Sequence, residues 1–186
     1  MKTAMKQLSL FALLVALFTA CGGGEKAASP SAELAGRIKA MEDSLFNATS
    51  YDQRKAQSLL DVYKAFAATH PLDSMAPEYL FRAAGLSKSM RDPDQSIFLY
   101  DRIITDYPSW YRLPDVYYLK AFTIDSDQDR KGEAERAYKE VINRYPDHPF
   151  AKDAKAMIEN LQYTDEELIQ RFEQMQQQQE SEARAN

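Results

Sequence analysis

Two residue types on which much protein chemistry depends are nearly absent from this chain, which has one cysteine and two histidines in 186 residues. The cysteine, Cys21, sits in the N-terminal region. The part that folds therefore has no thiol for a disulfide, for nucleophilic catalysis or for a metal site. A phosphate-cradling glycine loop, a zinc-ligand helix motif and a nucleophile elbow are also missing, so the sequence predicts no enzyme, no cofactor and no metal. Asp125, Asp127 and Asp129 have the spacing that opens a calcium loop, but Arg130 stands where the sharp turn needs glycine and Arg136 where a bidentate glutamate belongs. A solvated turn with Asp129 near a helix start is the expectation there. Positive charge is also scarce. Two of the 23 basic residues, Lys2 and Lys6, precede Cys21, so beyond it 21 basic side chains face 28 acidic ones, a net of −7. Such a balance disfavours nucleic acid and anionic headgroups as general partners.

No apolar run is long enough to cross a bilayer, and the one at Leu8 to Phe18 has the length of a signal-peptide core. With Lys2 and Lys6 ahead of it, the run reads as an export signal over residues 1–20. Its end, Leu17-Phe18-Thr19-Ala20-Cys21, resembles the lipobox of bacterial lipoproteins, in which the cysteine is acylated and becomes the new N-terminus. That resemblance implies lipidation at Cys21 and a lipid-anchored place in the bacterial cell envelope. Gly22 lacks the acidic character of the inner-membrane retention rule, which points to the outer membrane, on its periplasmic face or at the surface. Gly22-Gly23-Gly24 and the stretch to Ala32 have little to bury and are expected to form a tether over residues 21–32.

The rest of the chain repeats. Helical patterns stop at His70-Pro71, Tyr107-Pro108 and Tyr145-Pro146, prolines 37 and 38 residues apart. Eight positions before each proline stands Tyr63, Tyr100 or Tyr138, and five before stands Phe66, Ile103 or Val141. Thirteen after the first two stand Ala84 and Ala121. The same helical face is thus apolar in each copy, and proline, which lacks an N–H and crowds the preceding turn, ends each helix. His70 fills the slot of Tyr107 and Tyr145, which predicts a packing residue rather than a base. Caps and breaks predict helices at about 33–47, 52–69, 75–89, 93–107, 113–126, 130–145, 149–161 and 165–182, eight helices in four hairpins. The last opens on Thr164-Asp165-Glu166-Glu167, a capping box, and its stripe of Leu168, Ile169, Phe172 and Met175 is expected to cover the open end of the stack before the polar tail frays. Leu34, Ile38, Met41 and Leu45 have a spacing that packs the first helix onto the array or pairs it with a partner helix, with packing on the array favoured.

Ala134, Tyr138 and Pro146 match the tetratricopeptide repeat, and Leu59 and Ser96 replace that alanine in the other two copies. With a Tyr-Pro ending and longer inter-repeat loops, residues 52 to 161 resemble the BamD-like and Tol-associated periplasmic TPR lipoproteins. The resemblance implies an all-α, TPR-like array of antiparallel helix hairpins, a right-handed α-solenoid, over residues 33–163, with residues 164–186 as a capping helix and polar tail. In that family the first helix of each hairpin lines a groove. By register this assigns Glu78, Phe81, Arg82 and Lys88 in one repeat, and Asp115, Tyr118, Phe122 and Asp125 in the next, to a partner-binding groove. The expected partner is an envelope protein or a peptide segment of one, held by a membrane-anchored scaffold or adaptor. Trp110 and Tyr111, in the loop between Pro108 and Pro114, are a separate interaction candidate, with packing onto the helices favoured. Eleven tyrosines and one tryptophan support an alternative, capture of a soluble ligand or glycan by a lipoprotein.

Overall fold

Every proline after residue 29 begins a helix or turns the chain between two. In the computed structural model, which describes residues 29–128 and 130–185, Pro30, Pro77, Pro93 and Pro149 occupy the first turns of α1 (Pro30–Phe46), α3 (Ala76–Ser89), α4 (Pro93–Asp106) and α7 (Pro149–Asn160). That position suits proline because its missing N–H would have no helical partner there. α2 (Gln53–Thr69), α5 (Leu113–Gln128), α6 (Lys131–Arg144) and α8 (Asp165–Ala185) complete the described residues, among which there is no strand. The export signal, Cys21, the first part of the tether and Asp129 lie outside the described residues. The expected tether ends earlier than residue 32. Ser29 caps α1 by accepting from the Ala32 N–H at 3.2 Å, and Ser-Pro here is a helix start rather than a spacer.

Pro71, Pro108 and Pro146 sit in three copies of one turn. The carbonyl before each proline accepts from the N–H three residues on: Asp73 to His70 at 3.0 Å, Trp110 to Tyr107 at 3.0 Å and His148 to Tyr145 at 3.0 Å. Each turn ends one helix and aims the next back along it, so consecutive helices from α1 to α7 pack in series and α5 also touches α7. His70 packs as expected, its ring 5.1 Å from that of Phe66. The link between α3 and α4 is tighter. Asp92 N–H reaches the Ser87 carbonyl at 3.0 Å and Arg91 N–H that of Lys88 at 2.9 Å, which closes a Schellman motif with Arg91 at φ 63°. Asp92 then caps α4 through the Gln95 N–H.

The core runs the length of the array. Tyr63, Phe66, Leu80, Leu99, Ile103, Val116, Ile124, Tyr138 and Val141 are almost wholly buried in it, and Ile38 and Leu45 fasten α1. Ala84 and Ala121, the repeat alanines, are fully buried. Ser96, standing where the third copy has Ala134, buries a hydroxyl without a well-placed hydrogen-bond partner. α5 is apolar most of the way round because it is packed by α4, α6 and α7 together. The repeat is also visible in ring geometry: Phe81 meets Tyr100 at 6.1 Å between centroids, and Tyr118 meets Tyr138 at 5.9 Å.

α8 begins with the expected box. Thr164 N–H donates to Glu167 Oε2 at 2.9 Å and Glu167 N–H to Thr164 Oγ1 at 3.3 Å. Beyond its first turn it packs little on the array: Ile169, Phe172 and Met175 are exposed, so the stripe does not cover the end of the stack. Three apolar side chains followed by Gln176 to Gln179 are too little surface to hold a helix down.

Candidate functional site

Side chains on α1, α3, α5 and α7 are joined across one face of the array. On α1, Glu42 accepts from the Tyr63 hydroxyl at 2.6 Å and from Arg82 Nη1 at 2.7 Å. Arg82 donates through Nε to Glu78 at 2.9 Å, and Glu78 accepts from Arg112 Nη1 at 3.0 Å. Arg112 turns its other nitrogen toward Asp115 at 3.5 Å. The result is an unbroken ladder from α2 through α1 and α3 to the start of α5. Further along, Lys88 pairs with Asp127, donates to Ser126 at 3.0 Å and lies over the Phe122 ring at 5.0 Å. Asp125 accepts from the Tyr138 hydroxyl at 3.2 Å, and Tyr118 stacks on Phe150 of α7 at 4.4 Å.

Electrostatics follow from this packing. Burial and the Glu42 carboxylate push the Tyr63 hydroxyl well above its ordinary range, and burial and Asp125 do the same to Tyr138. Burial works against the Arg82 charge, but hydrogen bonds to Glu42 and Glu78 outweigh it and hold the guanidinium more firmly protonated than usual. At Asp127 burial favours the neutral acid, and hydrogen bonds from Lys88 and Ser126 outweigh it, so its carboxyl stays below the usual range. At neutral pH the two hydroxyls are therefore held neutral and Arg82 and Asp127 charged.

All eight sequence-assigned residues lie on α3 and α5, and the ladder joins three of them, Glu78, Arg82 and Asp115. Glu78 and Asp115 share Arg112, Arg82 joins Glu78, and Lys88 meets Phe122 across the two helices. Phe81 and Tyr118 make ring contacts within the array. Half-buried, Phe81 packs on Tyr100 and Trp110 with Arg112 4.0 Å above its ring, and Tyr118 is held between Tyr138 and Phe150. Their rings serve the contact between one hairpin and the next. Trp110 packs through Phe81 at 5.7 Å, as favoured, while Tyr111 is 80% exposed.

Between α1 and α3 the face opens into a groove of about 600 Å³. Glu42, Tyr63, Arg82, Gly85, Leu86 and Phe46, the last 65% exposed, line it. A Cβ at Gly85 would meet nothing within 4 Å. A second hollow of about 450 Å³ lies at the other end, where Phe122, Asp125, Lys131, Met157 and Leu168 meet.

No family model matches this chain, and no curated protein matches it.

Glu42, Gly85 and Arg112 were not legible as site residues. Glu42 lies on α1, ahead of the repeat register, and Arg112 reaches the face from a loop whose path depends on tertiary packing. Tyr63 was visible as a repeat position but not as the residue that fixes Glu42. Asp125 and Asp127 of the calcium-like spacing are separately engaged, by Tyr138 and by Lys88. No helix among the described residues is long and apolar enough to cross a membrane.

Proposed function

We propose that this chain is a lipid-anchored scaffold lipoprotein of the bacterial envelope, in which a tetratricopeptide-type solenoid holds a segment of a protein partner along the face of α1, α3, α5 and α7. The observation that carries the reading is the groove between α1 and α3, whose charged wall is already fixed by the Tyr63–Glu42–Arg82–Glu78–Arg112 ladder. A partner binding there meets side chains whose ordering cost is borne by the fold, which is the physical meaning of preorganisation. The mixed charges set its register, and Phe46 and Leu86 of the lining supply contact area. Anchoring rests on Cys21 and the lipobox resemblance. Acyl chains contribute about 0.8 kcal/mol per buried methylene, enough in combination to keep the array at the membrane, with the outer membrane proposed from Gly22.

The test fills the groove without touching the core. Gly85→Gln puts a helix-compatible side chain into open space, so the fold is retained and the melting midpoint does not fall. Crosslinking in intact cells, capture of the lipidated protein and mass spectrometry are then compared between wild type and variant. The expected result is one dominant envelope protein with wild type and its loss with Gly85→Gln. Undiminished recovery with the variant would remove this groove from the reading, and protein-free recovery from wild type would favour ligand or glycan capture.

A further inference from the structure

The edge of the array that carries the proline turns holds a cleft of a different character. It lies between the turns at 70–75 and 106–110, has a volume of about 390 Å³, and is walled by Leu72, Tyr107, Pro108 and Trp110 with the carboxylates of Asp73 and Asp106. No lysine or arginine lines it. Leu72 is 99% exposed although its turn is fixed at both ends, by Asp73 N–H to His70 and by Ala76 N–H to Asp73. Asp73 spends one oxygen on the Met75 N–H at 2.9 Å, which leaves the other, and Asp106 meets only Arg102, from its own helix, at 3.2 Å.

The three proline turns share one hydrogen-bonding pattern, so a difference in capping between them is informative. At the third residue of the turn Asp73 accepts from the N–H two residues on, and His148 does the same through Nδ1 at 3.3 Å. The middle copy has Trp110 there, which has no acceptor, so the start of α5 forgoes that cap. In exchange an indole stands in the cleft wall, with Tyr111 beside it at 5.7 Å.

We propose that this cleft is a second docking site, separate from the α1–α3 groove, that takes an extended, arginine-bearing segment of a protein partner. Charge complementarity selects the occupant: Asp73 keeps an oxygen toward the cleft and Asp106 shares only Arg102, so the lining stays acidic and attracts a guanidinium, while Trp110, which already carries Arg112 at 5.7 Å from its ring, and Tyr107 give its planar group faces to stack on. Leu72, Pro108 and Tyr107 form the apolar wall against which extended, proline-containing backbone packs well. Lysine fits less well because its ammonium is a point charge with no planar face.

Trp110 is the chain's one tryptophan and reports on the cleft directly. The full chain, purified in mild detergent, is titrated with the blocked peptide Ac-Pro-Arg-Pro-Leu-Arg-Pro-NH2 and with the same peptide carrying Glu in place of Arg. The expected outcome is a saturable change in Trp110 fluorescence with the arginine peptide alone, weakened about tenfold or more by Asp73→Asn with Asp106→Asn, because both carboxylates then lose their charge. Asparagine keeps the acceptor for Met75 N–H, so the turn survives. Leu72→Ser, at a fully exposed side chain, provides a second variant that cannot act through the fold and also weakens binding. No saturable response, an equal response to the glutamate peptide, or undiminished binding by these variants would overturn the proposal. A fluorescence change that follows protein concentration without peptide would do so too, by assigning the cleft to a second copy of the chain. Gly85→Gln leaves this titration unchanged, which separates this site from the groove.

Discussion

Arg91 is the one described non-glycine residue with a positive φ, at 63°, and its place in the Schellman motif explains why. The two hydrogen bonds that end α3 require the left-handed region at this position, where an L side chain brings Cβ against the carbonyl and costs roughly 1–2 kcal/mol. The Arg91 side chain is exposed, so burial does not repay that cost. Arg91→Gly is therefore expected to stabilise the array by about 1 kcal/mol and to raise its melting midpoint by roughly 2–4 °C in thermal circular dichroism. An unchanged or lowered midpoint would show that Arg91 makes a compensating contact. Phe81 and Tyr118 teach a different lesson at this scale. Their equivalence was legible from spacing to Pro71 and Pro108, but spacing cannot say whether a half-buried ring faces a partner or the next hairpin. The answer depends on Trp110, which arrives from the following turn, and on Phe150, which arrives from α7.

At the scale of elements, local chemistry governed what could be read. Helix ends fell within three residues of expectation because Ser29, Asp52, Asp92 and the prolines act on their own neighbours. The capping box of α8 was equally local and is present. Its packing was not readable, since an apolar stripe states that a helix can bury a face, not that the array offers one. With Ile169, Phe172 and Met175 exposed, α8 adds little to the stability of α1–α7. Ending the chain at Tyr163 is accordingly expected to move the melting midpoint by no more than about 2 °C, the range of a surface change. Loss of Leu168 and of the Arg171 contact with Tyr163, at 4.1 Å, accounts for what shift there is. A fall of many degrees would mean that α8 closes down on the hollow formed by Phe122, Met157 and Leu161 in solution.

For the whole molecule, the repeat makes one residue type a common point of weakness. Tyr63, Tyr100 and Tyr138 recur at one register, are almost wholly buried and link each hairpin to its neighbours. Burial raises all three hydroxyls above the ordinary value, with Tyr100 pushed up to about 12, and the Glu42 and Asp125 carboxylates raise Tyr63 and Tyr138 further. Tyr79, Tyr107, Tyr117, Tyr118 and Tyr145 are raised by burial as well. The consequence for stability has a definite sign. A tyrosine whose folded pKa exceeds its unfolded value of about 10 leaves stability intact below that pH, and above it the unfolded chain releases protons that the array still holds, so each further rise favours unfolding. Because the repeats stack through these rings, their ionisation is coupled to separation of the hairpins rather than to local fraying. The array is expected to keep its full helical signal up to about pH 10 and to lose it above that, with tyrosinate absorbance and circular dichroism changing together in one transition. Tyr63→Phe removes one buried hydroxyl and its alkaline liability but leaves Glu42 with Arg82 as its partner, so it moves the alkaline midpoint upward while reducing stability at neutral pH by roughly 1 kcal/mol. Tyrosinate forming gradually from pH 10 while helicity persists would instead mean that the rings reach water without the hairpins parting, and the stacking would then rest on the aliphatic core of Leu59, Leu80, Leu99 and Val141.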